Sequence, residues 1–247
     1  MADDGFQRAR SPERKAERRA SILSAARALL DEGGPEAATL SAIASRAGVV
    51  KSGLYRYFES REEILIQLLI DGCEKMVEEL EIEAGTLAAS DAPQDQRLLH
   101  LAAGTAACFA ERPRLCHLVS IMAGTLEQNI SAPKIVELKS AMYLLHQRGV
   151  AALVRGHGAL SAEGAEIAMR MIFTSVAGLW PMANPGPKVR EAVEAANLPA
   201  FAYDFEDALR CAAYAAFSGA EAAARCPEAA AGLSSGGCSP RVDKGKA

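Results

Sequence analysis

Residues 39–58 read Thr39-Leu40-Ser41-Ala42-Ile43-Ala44-Ser45-Arg46-Ala47-Gly48-Val49-Val50-Lys51-Ser52-Gly53-Leu54-Tyr55-Arg56-Tyr57-Phe58. Thr39 is a helix cap, because its hydroxyl accepts from an amide left free in the first turn. Leu40, Ile43, Ala44 and Ala47 then share one face of a short helix. Gly48 ends that helix. A second short helix is predicted from about Val50 to Phe58, with Leu54 and Phe58 four apart and facing inward. A short helix, a glycine turn and another short helix are the parts of a helix-turn-helix. The Ala47-Gly48-Val49 corner supplies a small residue, a residue free to take positive φ, and an apolar plug. Lys51, Ser52, Tyr55 and Arg56 form a narrow polar outer face, suited to a DNA major groove about 12 Å wide.

Outward from this stretch the pattern stays helical. Ser11-Pro12-Glu13 reads as a helix start, since proline is tolerated at the first helical position. Ile22, Ala26, Leu29 and Leu30 follow on one face, and Gly33-Gly34-Pro35 stops the run. Ser60-Arg61-Glu62-Glu63 reads as a capping box, in which serine and the glutamate three residues on each satisfy a free amide. It opens a long helix from Arg61 to about Ile82. Its stripe is Ile64, Leu65, Leu68, Leu69, Cys73, Met76, Val77 and Leu80. This helix starts at the predicted head and enters the rest of the chain. Beyond Gly85 the breaks are Ala92-Pro93, Arg112-Pro113, Ala132-Pro133, Gly156-His157-Gly158, Pro181 to Pro187, and Pro199. No segment between them alternates as a strand does.

The 247 residues are 50% hydrophobic and 23% charged, which excludes disorder over most of the chain. Alanine, the best helix former, fills about a fifth of the sequence. The fold class expected is all-α: an N-terminal three-helix helix-turn-helix DNA-binding domain followed by a larger helical ligand-binding and dimerisation domain. The expected divisions are a basic flexible arm at 1–13, the DNA-binding domain at 14–60, the regulatory domain at 61–225 and a disordered tail at 226–247. No apolar run reaches the roughly 18 to 20 residues of a membrane span, and the charged N-terminus lacks a signal-peptide core. A cytoplasmic protein without a membrane partner is expected. Cys73, Cys108, Cys116, Cys211, Cys226 and Cys238 are scattered and form no zinc-ligand spacing. No metal and no cofactor are expected.

Net charge is uneven. Residues 1–61 hold 11 Lys/Arg and 8 Asp/Glu, a balance of +3, whereas residues 62–247 hold 16 and 23, a balance of −7. A basic end on an acidic body suggests that the end meets a polyanion. A solvated tail would show the same charge.

Residues 39–58 resemble the helix-turn-helix of the TetR family of transcriptional repressors. Arg19-Ala20-Ser21-Ile22-Leu23-Ser24-Ala25-Ala26 looks like that family's first helix, and Ser60-Arg61-Glu62-Glu63 like the entry to its fourth. The resemblance covers about residues 14–80. It implies phosphate contacts for Lys51 and Tyr55, with Thr39 at the backbone from the start of its helix. It places Ser52, Gly53 and Arg56 nearer the base edges, and leaves Tyr57 to either role or to the core. Val50 stands where the family often has Ser or Thr. It cannot bond a phosphate but can touch a thymine methyl. Gly53 in a short helix fits a close approach to DNA, or simple tolerance.

For the larger domain, His100, Phe109, His117, Met122, Tyr143, His146, Phe173 and Trp180, with Cys108, are semi-polar or aromatic groups on apolar helices. They are candidates for a ligand cavity; ordinary core filling is the alternative. Gly178-Leu179-Trp180-Pro181 and Phe109-Ala110-Glu111-Arg112-Pro113 resemble signatures in one subset of the family. Ala165, Ala168, Ala177, Ala208, Ala212, Ala215 and Ala216 allow close helix approach, either between two subunits, as the resemblance implies, or within one. No GxSxG, HExxH or P-loop occurs, so no enzyme is expected. The function expected is a ligand-responsive regulator, a repressor, binding a palindromic DNA operator as a homodimer and released by a mainly apolar small-molecule effector. The alternative is a ligand-independent helix-turn-helix protein.

Overall fold

The computed structural model describes residues 12–198 and 204–226, the side chains of 221 and 224 aside. The α-helices are α1 (Pro12–Ala37), α2 (Leu40–Arg46), α3 (Lys51–Leu54), α4 (Arg61–Ala88), α5 (Gln94–Ala110), α6 (Pro113–Ile121), α7 (Ala132–His157), α8 (Ala162–Ala183), α9 (Pro187–Ala195) and α10 (Phe205–Ala224). A π-helical turn, Met122–Leu126, prolongs α6. No strand occurs among the described residues, as composition and periodicity predict. The basic arm up to residue 11 with the Ser11 cap, Pro199, and the tail from 227 with Cys238 lie outside the described residues.

Local chemistry sets the first four helices. α1 buries Ile22, Ala25, Ala26, Leu29 and Leu30, and leaves helical geometry at Gly33 and Gly34 as expected. Thr39 caps α2, its Oγ1 accepting from the Ala42 amide at 3.2 Å. Gly48 then takes φ +63°. A side chain there would cost about 1–2 kcal/mol, although a Cβ would meet nothing within 4 Å. The requirement at 48 is therefore one of backbone conformation alone.

α3 is shorter than the sequence predicts. Regular helix covers only Lys51–Leu54. The amides of Arg56 and Tyr57 turn back to the carbonyls of Gly53 (3.3 Å) and Leu54 (2.9 Å). This tighter winding, three residues per turn, brings Phe58 into the core and leads straight to the next cap. There Ser60 Oγ accepts from the Glu63 amide at 3.1 Å. Glu63 Oε2 accepts from the Glu59 amide at 2.5 Å, one residue earlier than the expected capping box.

α4 runs past its predicted end near Ile82 and through Gly85 to Ala88, because Ala84 and Leu87 extend the buried stripe. Likewise α7 continues through Gly156 and α8 through Pro181. Tertiary burial outweighs the local breaking tendency of these residues.

α4 packs mainly on α7, and α8 on α10, with α5 against α10 and α4. α6 touches α1, α4 and α8 at once. Arginines fasten the head to this body. Arg61 donates to the carbonyls of Ala38 (2.9 Å) and Pro35. Arg19 donates to the Tyr57 carbonyl and Gln67 Oε1, both at 3.0 Å, and lies 4.1 Å over the Phe58 ring. Arg114 of α6 pairs with Asp31 of α1 at 2.6 Å. Lys134 of α7 reaches the buried Glu63 at 3.2 Å. α4 is thus not alone in joining head and body.

Candidate nucleic-acid interface and ligand cavities

The α2–α3 unit turns one face inward and one outward. Ile43, Ala44, Leu54 and Phe58 are buried. Thr39, Val50, Lys51, Ser52, Tyr55 and Arg56 are exposed, with Val50 73% and Tyr55 55% accessible. Gly53 lies between them, half-buried. Lys51 and Arg56 have no ion-pair or hydrogen-bond partner among the described residues. Arg46, by contrast, is held by Glu32 at 2.5 Å. Val50 occupies the N-cap of α3 without a side-chain cap bond. Tyr57 differs from the rest of the predicted set. It is half-buried and packed on the core, and its carbonyl holds Arg19.

The eight predicted ligand residues do not share one place. Cys108 and Phe109 line a cavity of ≈ 200 Å³ between α4, α5, α7 and α8. Met122, Tyr143, His146 and Phe173 line a larger one of ≈ 640 Å³ between α4, α7 and α8. Met76 and Met169 belong to the walls of both. His100 is a correction: it is exposed on α5, its Nδ1 2.8 Å from the Gln96 carbonyl of its own helix. Trp180 is a correction too. Trp180 is only 8% accessible and is wedged edge-on against Phe205, with ring centres 5.0 Å apart. Its other neighbour is the His117 ring, at 6.0 Å. Trp180 lines neither cavity, whereas His117 lines a third, of ≈ 570 Å³ between α1, α4 and α6, with Cε1 3.2 Å from where a Gly34 Cβ would sit. Trp180 thus belongs to the packing of α6 against α8 and α10.

Burial pushes the His117 and His146 imidazoles below the ordinary histidine range. His146 Nε2 is buried without a hydrogen-bond partner among the described residues. Burial also drives the Cys73 and Cys116 thiols up to about 12 and Cys108 to about 11. They are inert thiols rather than nucleophiles. The sequence reading missed Met76, Glu83, Thr105 and Met169 as cavity walls. Glu83 was detectable, because it falls three residues after Leu80 on the apolar stripe of α4.

Residues 22–68 match the family model "Bacterial regulatory proteins, tetR family", and residues 72–224 match "Tetracyclin repressor-like, C-terminal domain". The chain belongs to the TetR family. It is a TetR-family transcriptional regulator, with the N-terminal helix-turn-helix domain and larger helical C-terminal domain of that family. The HTH-type transcriptional repressor KstR of Rhodococcus jostii (strain RHA1) is 47% identical over 53 residues, 22% of this chain and 25% of the relative. The KstR of Mycobacterium tuberculosis is 44% identical over 57 residues, 23% and 26% of the two chains. The matched stretch thus spans about a quarter of these curated relatives. Among solved TetR-family structures, the fatty acid degradation regulator FadR from Bacillus halodurans superposes with TM-score 0.51 at 17% identity, over 85% of this chain and 97% of that one. A structure from Streptomyces coelicolor A3(2), described as a possible TetR family transcriptional regulator, gives 0.52 at 22%, over 83% and 98%. At these identities the superpositions speak for the fold.

Proposed function

We propose that this TetR-family chain is a ligand-responsive repressor that binds a palindromic operator as a homodimer. The reading rests above all on the outer face of α3, where Lys51 and Arg56 are unpaired beside Tyr55 while Leu54 and Phe58 anchor the opposite face. In this reading Thr39, Lys51 and Tyr55 position the head on phosphates, and Val50, Ser52, Gly53 and Arg56 face base edges. Tyr57 supports the helix from behind. The DNA-binding unit spans residues 14–60 and the regulatory unit 61–225. The repressor sense follows the KstR relatives.

The two cavities that share Met76 and Met169 support an effector site, with Phe109, Met122, Tyr143, His146 and Phe173 on its walls. An effector that binds the DNA-incompetent arrangement better than the competent one lowers operator affinity. Its pull reaches the head by α4 and by α6, which meets α1 through Arg114 and His117. Two subunits pair through the faces of α8 and α10 that remain exposed, which carry Met171, Gly178 and Met182, and Cys211, Tyr214 and Ala215. Ala165, Ala168 and Ala216 are already buried within one chain.

The test is a gel shift of the purified protein on its own upstream DNA, with and without apolar candidate effectors. A retarded band that an effector abolishes is the expected result. Binding insensitive to every compound that fills the cavities would leave the ligand-independent reading.

A further inference from the structure

The smaller cavity is lined largely by apolar groups, Leu80, Phe109, Leu153 and Ile172 among them. Glu83 is in the same lining. This carboxylate is half-buried, and burial raises its pKa above the ordinary glutamate range, an effect that the nearby His100 partly offsets. Among the described residues it has no hydrogen-bond or ion-pair partner. It lies across Gly104 of α5, where an added methyl would overlap it. In the same wall, Thr105 Oγ1 is buried without a partner among the described residues.

Apart from the partial offset by His100, the other charges at this end are engaged elsewhere. Arg112 is engaged by Glu79 and by the Cys108 carbonyl at 2.6 Å. Glu111 adds negative charge to the same lining. The cations of the larger cavity are already matched, Lys139 by Glu127 at 2.6 Å and Arg170 by Glu166 at 3.5 Å. An anionic ligand would have to displace a carboxylate, whereas a cationic one would meet a carboxylate that lacks a partner. A buried charge without a partner is costly, and a ligand that supplies the partner recovers that cost.

We propose that Glu83 is the polar anchor of the effector site and that its ligand is an apolar amine. The ammonium donates to Glu83 and to Thr105 Oγ1, and the hydrocarbon fills the chamber toward Ile172. Met76 and Met169 separate this chamber from the larger one, and their unbranched thioether chains rotate readily. Turning them aside joins the two spaces, so the ligand is elongated. The proposal rests on the sensor reading given above and adds the ligand's chemistry to it.

The experiment titrates the full chain by calorimetry with decylammonium, 1-decanol and decanoate, each below its micellar concentration. Decylammonium should bind about tenfold or more tighter than decanoate, the scale of one charge-assisted hydrogen bond. Glu83→Gln should remove about tenfold of the decylammonium affinity and leave that of decanol within about twofold. Gly104→Ala keeps the charge but displaces it, and should weaken decylammonium likewise. It carries the test if Glu83→Gln does not fold. Decanoate binding as tightly as decylammonium, or decylammonium affinity unchanged in both variants, overturns the assignment. Operator release is followed in parallel by fluorescence anisotropy. Glu83-dependent binding without release upholds the anchor and overturns the sensor reading. Release by compounds whose binding ignores Glu83 does the reverse.

Discussion

Gly53 sits inside α3, and nothing in the protein requires it. A Cβ there would lie 3.5 Å from Val50 Cγ2, an ordinary contact. Gly53→Ala should therefore raise the thermal midpoint, with up to about 1 kcal/mol gained from helix propensity. If the glycine gives clearance to a DNA backbone, operator affinity falls in the same variant; unchanged affinity would make it mere tolerance. Lys51→Ala should weaken binding to all sequences and flatten the salt dependence by about one unit of slope. Arg56→Ala should instead relax base preference by roughly 1–3 kcal/mol. Competition binding at two salt concentrations separates the two roles. Glu83 makes a prediction about the free protein. Its folded pKa is raised, so the stability it contributes is full below the ordinary glutamate range and is lost as pH rises through the raised value. Glu83→Gln should melt higher than wild type near pH 7, and the gain should vanish near about pH 4, where the carboxyl is protonated. A gain equal at both pH values would mean that charge is not the cause. Thr39, Gly48 and Ser60 were legible in the sequence because each acts on amides or backbone angles within a few residues. The cavity roles were not, since an apolar side chain meets a void or a neighbour only once the helices have packed.

Helix α6 shows the same limit at the level of elements. Phe109 and Trp180 look alike in sequence, each an aromatic on an apolar helix close to a proline. The packed structure separates them. Phe109 borders the smaller cavity, whereas Trp180 fills the space between α6, α8 and α10. Trp180→Ala should cost about 3–5 kcal/mol. It should also impair operator binding without any effector, because α6 then loses its seat beneath α1. Phe109→Ala removes a cavity wall away from that joint, so the free protein should keep most of its operator affinity while its response to effector changes. Thermal melts and operator titrations of the two variants, side by side, check this contrast. Equal loss of operator binding by both would place Phe109 in the same structural unit as Trp180. The helix-turn-helix could be read from the chain because its parts are contiguous. The brace from α6 to α1 could not, because Asp31 and Arg114 meet only in the folded chain.

The molecule sets a head of positive balance on an acidic body, a charge asymmetry suited to steering the head toward a polyanion. One α3 presents few side chains, and the proposed dyad would double them and call for a palindromic site. The exposed faces of α8 and α10 are the proposed seat of that dyad. Gly178 offers a clean way to test it, since a Cβ there meets nothing within 4 Å in the single chain. Gly178→Glu should fold normally as a subunit. Across an interface with twofold symmetry, however, each new carboxylate is buried close to its own copy, and like charges so placed repel. Light scattering should show a monomer with an unchanged helical circular dichroism spectrum. Operator affinity should fall toward the nonspecific level. The slope of log affinity against log salt should drop to about half, because each phosphate contact contributes about 0.9 of slope and half of the contacts are gone. A Gly178→Glu protein that remains dimeric and binds its operator with the full slope would move the dyad away from α8 and α10.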